Sequence, residues 1–296
     1  MRQQAVSLLE RANAVSVSPN FPSLERTVTF RVLDSATGPQ QGMFTRMVVR
    51  GSGRRDEITF GSFHMLNVYS QGHLATVRTS ELLPPAPADA LRLTPINLVR
   101  FNDEDVIYAI NDSVTGGHPA RCIEFNTIVG ETNENNELCV DSNNGTLIRE
   151  KIGDQLIENS DFFSFAGALI PGKIEYSFGG IPKLEITQTM KALDNPAPDI
   201  FAPPPNAEIR RICKTSRRAF GQYMPQPKPT GSGTADILLR GIIGKDGKVH
   251  DAMVQRSERP DLNTQALGII QQWTFSPAMC DGEPNQTEAT FVLHFR

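Results

Sequence analysis

The 296-residue sequence predicts an α+β protein, with a large antiparallel β domain behind one amino-terminal helix and then a small antiparallel three-stranded sheet with one packed helix. Three observations predict it. Short alternating segments rich in β-branched and aromatic residues recur through the first two thirds, each bounded by Gly, Ser or Asp. A proline-rich stretch then interrupts the pattern, and the last sixty-odd residues read strand, Asp-Gly turn, strand, one helical stripe, strand. A chain of this length is expected to build two cores rather than one.

Met1 to Ala14 carries Val6, Leu8, Leu9 and Ala12 at amphipathic helical spacing. Strands are expected at 27–33, 43–49, 56–60, 63–70 and 73–79. Residues 82–96 begin with prolines and read as a loop with a helical turn. Strands resume at 106–110, 120–129, 137–140, 146–152, 173–178 and 184–192, a mostly antiparallel run that closes the first domain at residue 193. Asp194 to Pro205 is a proline-rich spacer with a bias to extended polyproline conformation.

The second domain is expected over 206–296. Ile209, Cys213, Ser216 and Phe220 fall at i, i+4, i+7 and i+11, so a helix capped by Asn206 and stopped at Gly221 is predicted, with Arg210, Arg211, Lys214, Arg217 and Arg218 on its solvated face. An anionic surface or a lipid headgroup is the minor alternative for those cations. A further break, 225–233, passes from Pro-rich to Gly/Ser-rich and carries Gly231-Ser232-Gly233. Ala235–Ile243 and Val249–Gln255 form a hairpin around Lys245-Asp246-Gly247-Lys248. Asp261 and Asn263 are two candidate N-caps for a helix whose stripe is Leu262, Ala266, Ile269, Ile270 and Trp273. Asp281-Gly282-Glu283-Pro284 turns the chain, and Ala289, Phe291, Leu293 and Phe295 alternate with Thr290, Val292 and His294 in a last strand.

The succession strand, Asp-Gly, strand, Leu262-x-x-x-Ala266-Leu267, Trp273-x-Phe275-x-Pro277-Ala278, Gly282-x-Pro284, terminal aromatic strand resembles the C-terminal domain of TonB-type energy transducers over roughly 234–296. Two positions depart from that pattern: Leu262 is followed by Asn263 rather than Asp, and only Tyr223-Met224-Pro225 approaches the Tyr-Pro lead-in. The resemblance implies a periplasmic, non-enzymatic protein. Its sheet edge would take up a short peptide of an outer-membrane transporter or other envelope partner as an added strand. It places that edge at Glu288, Thr290, Val292 and His294, and leaves open a homodimer formed by strand exchange. Transducers of this type carry an amino-terminal membrane anchor. No apolar run here has bilayer length, so a signal or anchor is expected to lie outside this sequence, or the protein to be a soluble relative.

The first domain, with its leading helix, many strands and the turn Asp141-x-x-x-Gly145-x-Leu147, is similar to the half-barrel periplasmic lipoprotein carriers of the LolA and LppX type. That resemblance implies a concave apolar face sheltering a lipid, a lipoprotein or another hydrophobic ligand. Phe30, Phe44, Phe60 and Phe63 are candidate lining residues, together with Tyr69, Phe125 and Tyr176. Plain core is the competing reading for each.

Cys122 and Cys139 fall on strands that read as one hairpin, separated by the polar turn 131–136, so a disulfide is expected there, in keeping with an oxidising compartment. Cys213 and Cys280 would form the second pair. For them, bonded and reduced states stand equally open. A net charge of −4 argues against nucleic acid as a partner. No metal or cofactor is predicted, because His64, His73, His118, His250 and His294 show no ligand spacing. Neither a Gly-x-Ser-x-Gly elbow nor a phosphate loop is present. Asp103, Glu104 and Asp105 read as a solvated turn rather than an acid/base pair.

Overall fold

In the computed structural model every residue is described except 18–20, 36–37, 81, 95–98, 130–131, 195, 198, 228–233, 258 and 296. The 225–233 break, with its Gly231-Ser232-Gly233, therefore falls largely outside the described residues. The chain divides into two compact units, one of Met1–Gln71, Ala75–Val77 and Ala86–Glu208, the other of Gly72–Leu74, Arg78–Pro85 and Ile209–Arg296.

The first elements are α1 (Arg2–Ser16), β1 (Leu24–Val32), β2 (Gln40–Val49), β3 (Gly53–Phe60), β4 (Phe63–Ser70), β5 (His73–Arg78) and α2 (Pro85–Leu93). There follow β6 (Val106–Thr115), β7 (His118–Val129), β8 (Thr132–Asp141), β9 (Leu147–Ile152), β10 (Gln155–Ser160), the small hairpin β11 (Phe163–Phe165) and β12 (Ala168–Ile170), β13 (Lys173–Phe178) and β14 (Ile181–Ala192). Twelve successive strands of one large sheet run in the order β5-β4-β3-β2-β1-β14-β13-β10-β9-β8-β7-β6. Its first and last strands meet in the middle, Leu24 opposite Ala192 through Val32 opposite Leu184, so two antiparallel meanders spread outward from that seam. Nearly every other pairing joins strands consecutive in the sequence, and such local hairpins are the ones chain entropy favours. Val28, Phe30, Phe44, Ile58 and Ile186 are buried, and the ring of Phe30 lies over Gly42, where a Cβ would stand 2.2 Å from it. The helix α1 buries Ala5, Leu8, Leu9 and Ala12 in one apolar cluster with Ile123, Phe125, Leu138 and Val140 of β7 and β8.

The structure moves several expected boundaries. β7 and β8 pair as far as Val129 opposite Thr132, so the expected polar turn 131–136 is mostly strand. β10, β11 and β12 were not predicted; Gly153-Asp154 turns the chain into β10, whose side chains are all half-buried and give no clean alternation. The proline-rich spacer is not simply extended. Ala202 N–H donates to the Asp199 carbonyl at 2.8 Å, and Phe201 packs against the buried cluster of Leu66, Val68 and Ala75.

In the second unit come β15 (Glu208–Arg211), β16 (Ser216–Arg217), β17 (Phe220–Tyr223), β18 (Ala235–Ile243), β19 (Val249–Ser257), a 3-10 turn (Pro260–Leu262), α3 (Asn263–Ile270), β20 (Thr274–Ser276), β21 (Ala278–Cys280), β22 (Glu283–Asn285) and β23 (Thr287–Phe295). The predicted basic helix over 206–221 is thus corrected to short extended segments. β16 pairs with β21 and β17 with β20. The helical stripe counted Ser216 as apolar, and Ile209 and Phe220 are in fact exposed. Cys213 is held by Cys280, and the Lys214 and Thr215 N–H groups donate to Asp281 Oδ1 at 3.0 and 2.8 Å rather than to a helical ladder.

The predicted hairpin, helix and terminal strand are all present. β18 is the centre of a three-stranded sheet of order β19-β18-β23, and α3 packs onto β19 and β18. Ile237, Leu239, Ile270, Trp273, Phe291, Leu293 and Phe295 share one buried cluster. The N-caps are Arg259 for the 3-10 turn and Leu262 for α3 rather than Asp261 and Asn263, neither makes a side-chain capping bond, and Asn263 Oδ1 is buried without a hydrogen-bond partner.

Candidate functional site

The last strand alternates cleanly. Phe291, Leu293 and Phe295 point into the core, while Glu288, Thr290, Val292 and His294 are exposed. It pairs with β18 over its whole length without a bulge, from Ala235 opposite Phe295 to Ile243 opposite Thr287. Since the sheet order is β19-β18-β23, one side of β23 has no strand beside it among the described residues. An edge of this kind presents alternate backbone N–H and C=O groups that an extended peptide can complete. The exposed row is anchored to β18. Glu288 pairs with Arg240, and His294 Nδ1 lies 2.6 Å from Asp236 Oδ1. Thr290 and Val292 lie between these pairs, opposite Arg240 and Leu238.

The margin β19 is less regular, because its register with β18 shifts between Leu238 and Leu239 and again between Arg240 and Ile242. Bulges of this kind twist an edge away from further pairing, which leaves β23 as the straighter template.

A second feature lies wholly within the first unit. A cavity of about 400 Å³ is bounded by α1 (Leu9, Ala12, Asn13), α2 (Arg92, Leu93) and the sheet residues Leu147, Glu150, Ile157, Ile174 and Gln188. Its wall mixes apolar and polar groups. Burial pushes the Glu150 carboxyl up from its ordinary range, and the nearby Arg92 guanidinium opposes that shift. Gln188 Nε2 donates to the Pro171 carbonyl at 2.7 Å, and its Oε1 accepts from Arg26 Nε at 2.8 Å. Burial, and then the neighbouring Arg46, lower the Arg26 guanidinium to about 10. None of the seven predicted lining aromatics borders this cavity. Phe30, Phe44, Phe63, Phe125 and Tyr176 are buried core, while Phe60 and Tyr69 are half-buried. The Tyr69 ring carries the Arg54 guanidinium at 3.9 Å, and Tyr176 carries that of Arg92 at 5.4 Å.

Residues 233–296 match the family described as Gram-negative bacterial TonB protein C-terminal. The carboxy-terminal segment is similar to that domain. No curated protein matches the chain. Among solved structures, a domain described as an outer membrane lipoprotein-sorting protein from Vibrio parahaemolyticus is 8% identical, with a TM-score of 0.42, over 68% of this chain and 97% of that one. A LolA superfamily protein from Nitrosomonas europaea is 16% identical, with a TM-score of 0.39, over 66% of this chain and 96% of that one. A DUF1329 family protein from Desulfovibrio piger is 11% identical, with a TM-score of 0.43, over 67% and 96%.

Trp273 Nε1, within the matched segment, donates to the carbonyl of Pro225 ahead of it at 3.0 Å, which ties the Tyr223-Met224-Pro225 lead-in to the end of α3. Both disulfides are formed, Cys122–Cys139 with a Cα separation of 4.0 Å and Cys213–Cys280 with 5.2 Å. The first joins directly opposed residues of β7 and β8. Glu137 lies close to that bridge, but both sulfurs are spent in it and offer no thiolate to a metal. Histidines lie beside carboxylates at His64 with Glu57, His118 with Asp141, His250 with Asp246 and His294 with Asp236. Of the acidic turn, Asp103 and Glu104 are exposed, whereas Asp105 is buried and accepts from the Thr127 hydroxyl at 2.7 Å. Among the described residues no helix is long and apolar enough to cross a membrane.

Proposed function

We propose that this is a periplasmic, non-enzymatic protein whose TonB-like C-terminal domain takes up an extended peptide of an outer-membrane transporter, or of another envelope partner, as a fourth strand along β23. The observation that carries the reading is the open margin of β23, regular over nine residues and backed by a buried face of Phe291, Leu293 and Phe295. Backbone groups supply affinity, and the exposed row Glu288, Thr290, Val292 and His294 supplies selectivity. The match of residues 233–296 to the TonB family supports the class of partner, and the two disulfides support an oxidising compartment. The same edge is compatible with a homodimer formed by strand exchange.

The test is a titration of the full chain with a synthetic peptide from the amino-terminal segment of an outer-membrane transporter. Val292→Pro removes an edge N–H and should abolish binding. Thr290→Lys, on the exposed face, keeps the backbone donor and should weaken it while near-ultraviolet circular dichroism stays native. Unchanged affinity in both variants sinks the proposal.

A second reading, carriage of a lipid, lipoprotein or other hydrophobic ligand by the first unit, is favoured by the cavity between α1, α2 and the sheet. Lipid retained by the native protein in mass spectrometry, and lost on Ala12→Trp, which fills that cavity, would favour it.

A further inference from the structure

Residues 209–224 form a part of the second unit that strand addition does not use. Arg210, Arg211, Lys214, Arg217 and Arg218 lie within it, and no Asp or Glu occurs anywhere between Glu208 and Asp236, in a chain whose net charge is −4. The same sixteen residues expose large apolar side chains: Ile209 is 58% exposed, Phe220 55% and Tyr223 60%, with Ile212 and Met224 also exposed. A free segment would fold such residues away or let them collapse together. Here the chain is pinned open. Cys213 is bonded to Cys280, β16 pairs with β21 and β17 with β20, and Asp281 Oδ1 accepts from both Lys214 and Thr215. Those bonds, foremost that from the Thr215 N–H, hold the Asp281 carboxyl below its ordinary range, with Arg211 contributing. Asp281 and Glu283 are the acids of the adjoining turn, two carboxylates beside these five cations.

We propose that this disulfide-pinned segment docks the protein on the surface of a bilayer containing anionic phospholipid, with the cations at the headgroups and Phe220, Tyr223 and the neighbouring aliphatics in the interfacial layer. Charge and exposed apolar side chains interleaved on one short stretch are the two ingredients of interfacial binding. Phenyl and phenol rings favour the headgroup boundary. An acidic protein partner fits less well. The best-formed cavities among the described residues are lined by other parts of the chain, and a lipid surface, unlike a protein anchor, needs no pocket at 209–224. The proposal is independent of strand addition at β23, and either can fail alone.

The experiment is co-sedimentation of the full chain with vesicles of phosphatidylethanolamine and phosphatidylglycerol, against vesicles of phosphatidylcholine. Binding is expected only to the first, weakening as salt rises. The double variant Arg217→Ala with Arg218→Ala should lose on the order of thirty-fold in partitioning, since each cation near such a surface contributes roughly five-fold. Phe220→Ser with Tyr223→Ser should weaken it further while the charge is unchanged. Near-ultraviolet circular dichroism, which reports on Trp273, verifies folding of both. The proposal is overturned by absence of binding to the anionic vesicles, by equal binding to phosphatidylcholine, or by folded variants that bind unchanged. Soluble polyglutamate that competes as well as vesicles, with the aromatic variant unaffected, would mark a protein partner and overturn it too.

Discussion

Trp273 donates its indole N–H to the Pro225 carbonyl, so one side chain serves both as core and as the clasp of the lead-in. Its ring meets Phe291 edge-on at 5.9 Å. Trp273→Phe keeps an aromatic ring but deletes the donor, and is expected to lower unfolding stability by about 1 kcal/mol. Trp273→Ala, which also empties the site, should cost about 3–5 kcal/mol. Urea titrations of both variants check this; a Trp273→Phe variant as stable as the parent would show that the Pro225 carbonyl is equally well served by water.

Gly247 occupies the turn between β18 and β19 at φ +75°, and a Cβ there would stand 2.1 Å from the Phe275 carbonyl oxygen. Phe275 N–H donates to the Gly247 carbonyl at 2.8 Å, so the two segments cannot separate without losing a bond. Left-handed backbone alone costs a non-glycine residue about 1–2 kcal/mol, so Gly247→Ala should destabilise by more than that. By contrast, a Cβ at Gly268 meets nothing within 4 Å, and Gly268→Ala, inside α3, should stabilise by about 0.5–1 kcal/mol. The same substitution thus has opposite signs at two sites, and thermal melts of the pair are the measurement.

Those two glycines illustrate what the sequence makes legible. Asp246-Gly247 between alternating aliphatics dictates a hairpin because few other arrangements satisfy both the turn and the apolar face. Leu262, Ala266, Ile270 and Trp273 likewise announce a helix. The basic segment misleads for a physical reason. Its helical spacing rests on Ser216, and the forces that keep it extended come from Cys280 and Asp281, more than sixty residues away. No local pattern carries such contacts. The cavity has the same character: Glu150, Gln188 and Arg92 come from separate elements and meet only in the folded unit, while the aromatic residues that catch the eye in the sequence are mostly core. The edge of β23 is the intermediate case, because alternation assigns its faces but only the strand order β19-β18-β23 says that a margin is open.

The two disulfides close loops of different length, with sequence separations of 17 and 67. If each acts chiefly by restricting the unfolded chain, removing Cys122–Cys139 should cost about 3 kcal/mol and removing Cys213–Cys280 about 4 kcal/mol. The consequences differ in kind. Cys122→Ala with Cys139→Ala leaves β7 and β8 paired from Ala120 to Val129, so native-state hydrogen exchange there should change little in pattern. Cys213→Ala with Cys280→Ala removes the bond that pins residues 209–224, and exchange at Lys214 and Thr215 should accelerate more than the global loss of stability accounts for. Equal acceleration across the domain would show that the bridge holds nothing locally.

Glu150 gives the pH dependence its sign. Burial raises its carboxyl above the ordinary value, so the folded state binds a proton more tightly than the unfolded chain does. Stability linked to this group is therefore unaffected below the ordinary carboxylate range, falls as the pH rises through the raised value, and then stays reduced. Arg92 limits the fall by favouring the ionised form. Glu150→Gln resembles the protonated side chain, and should leave stability unchanged in acid but raise it near neutral pH. Arg92→Met, which withdraws the opposing cation, should deepen the neutral-pH loss in the parent and have a smaller effect when combined with Glu150→Gln. Unfolding free energies of the four proteins at acid and neutral pH form a double-mutant cycle. A coupling that is absent at neutral pH would mean that Glu150 faces water in solution rather than the wall of the cavity.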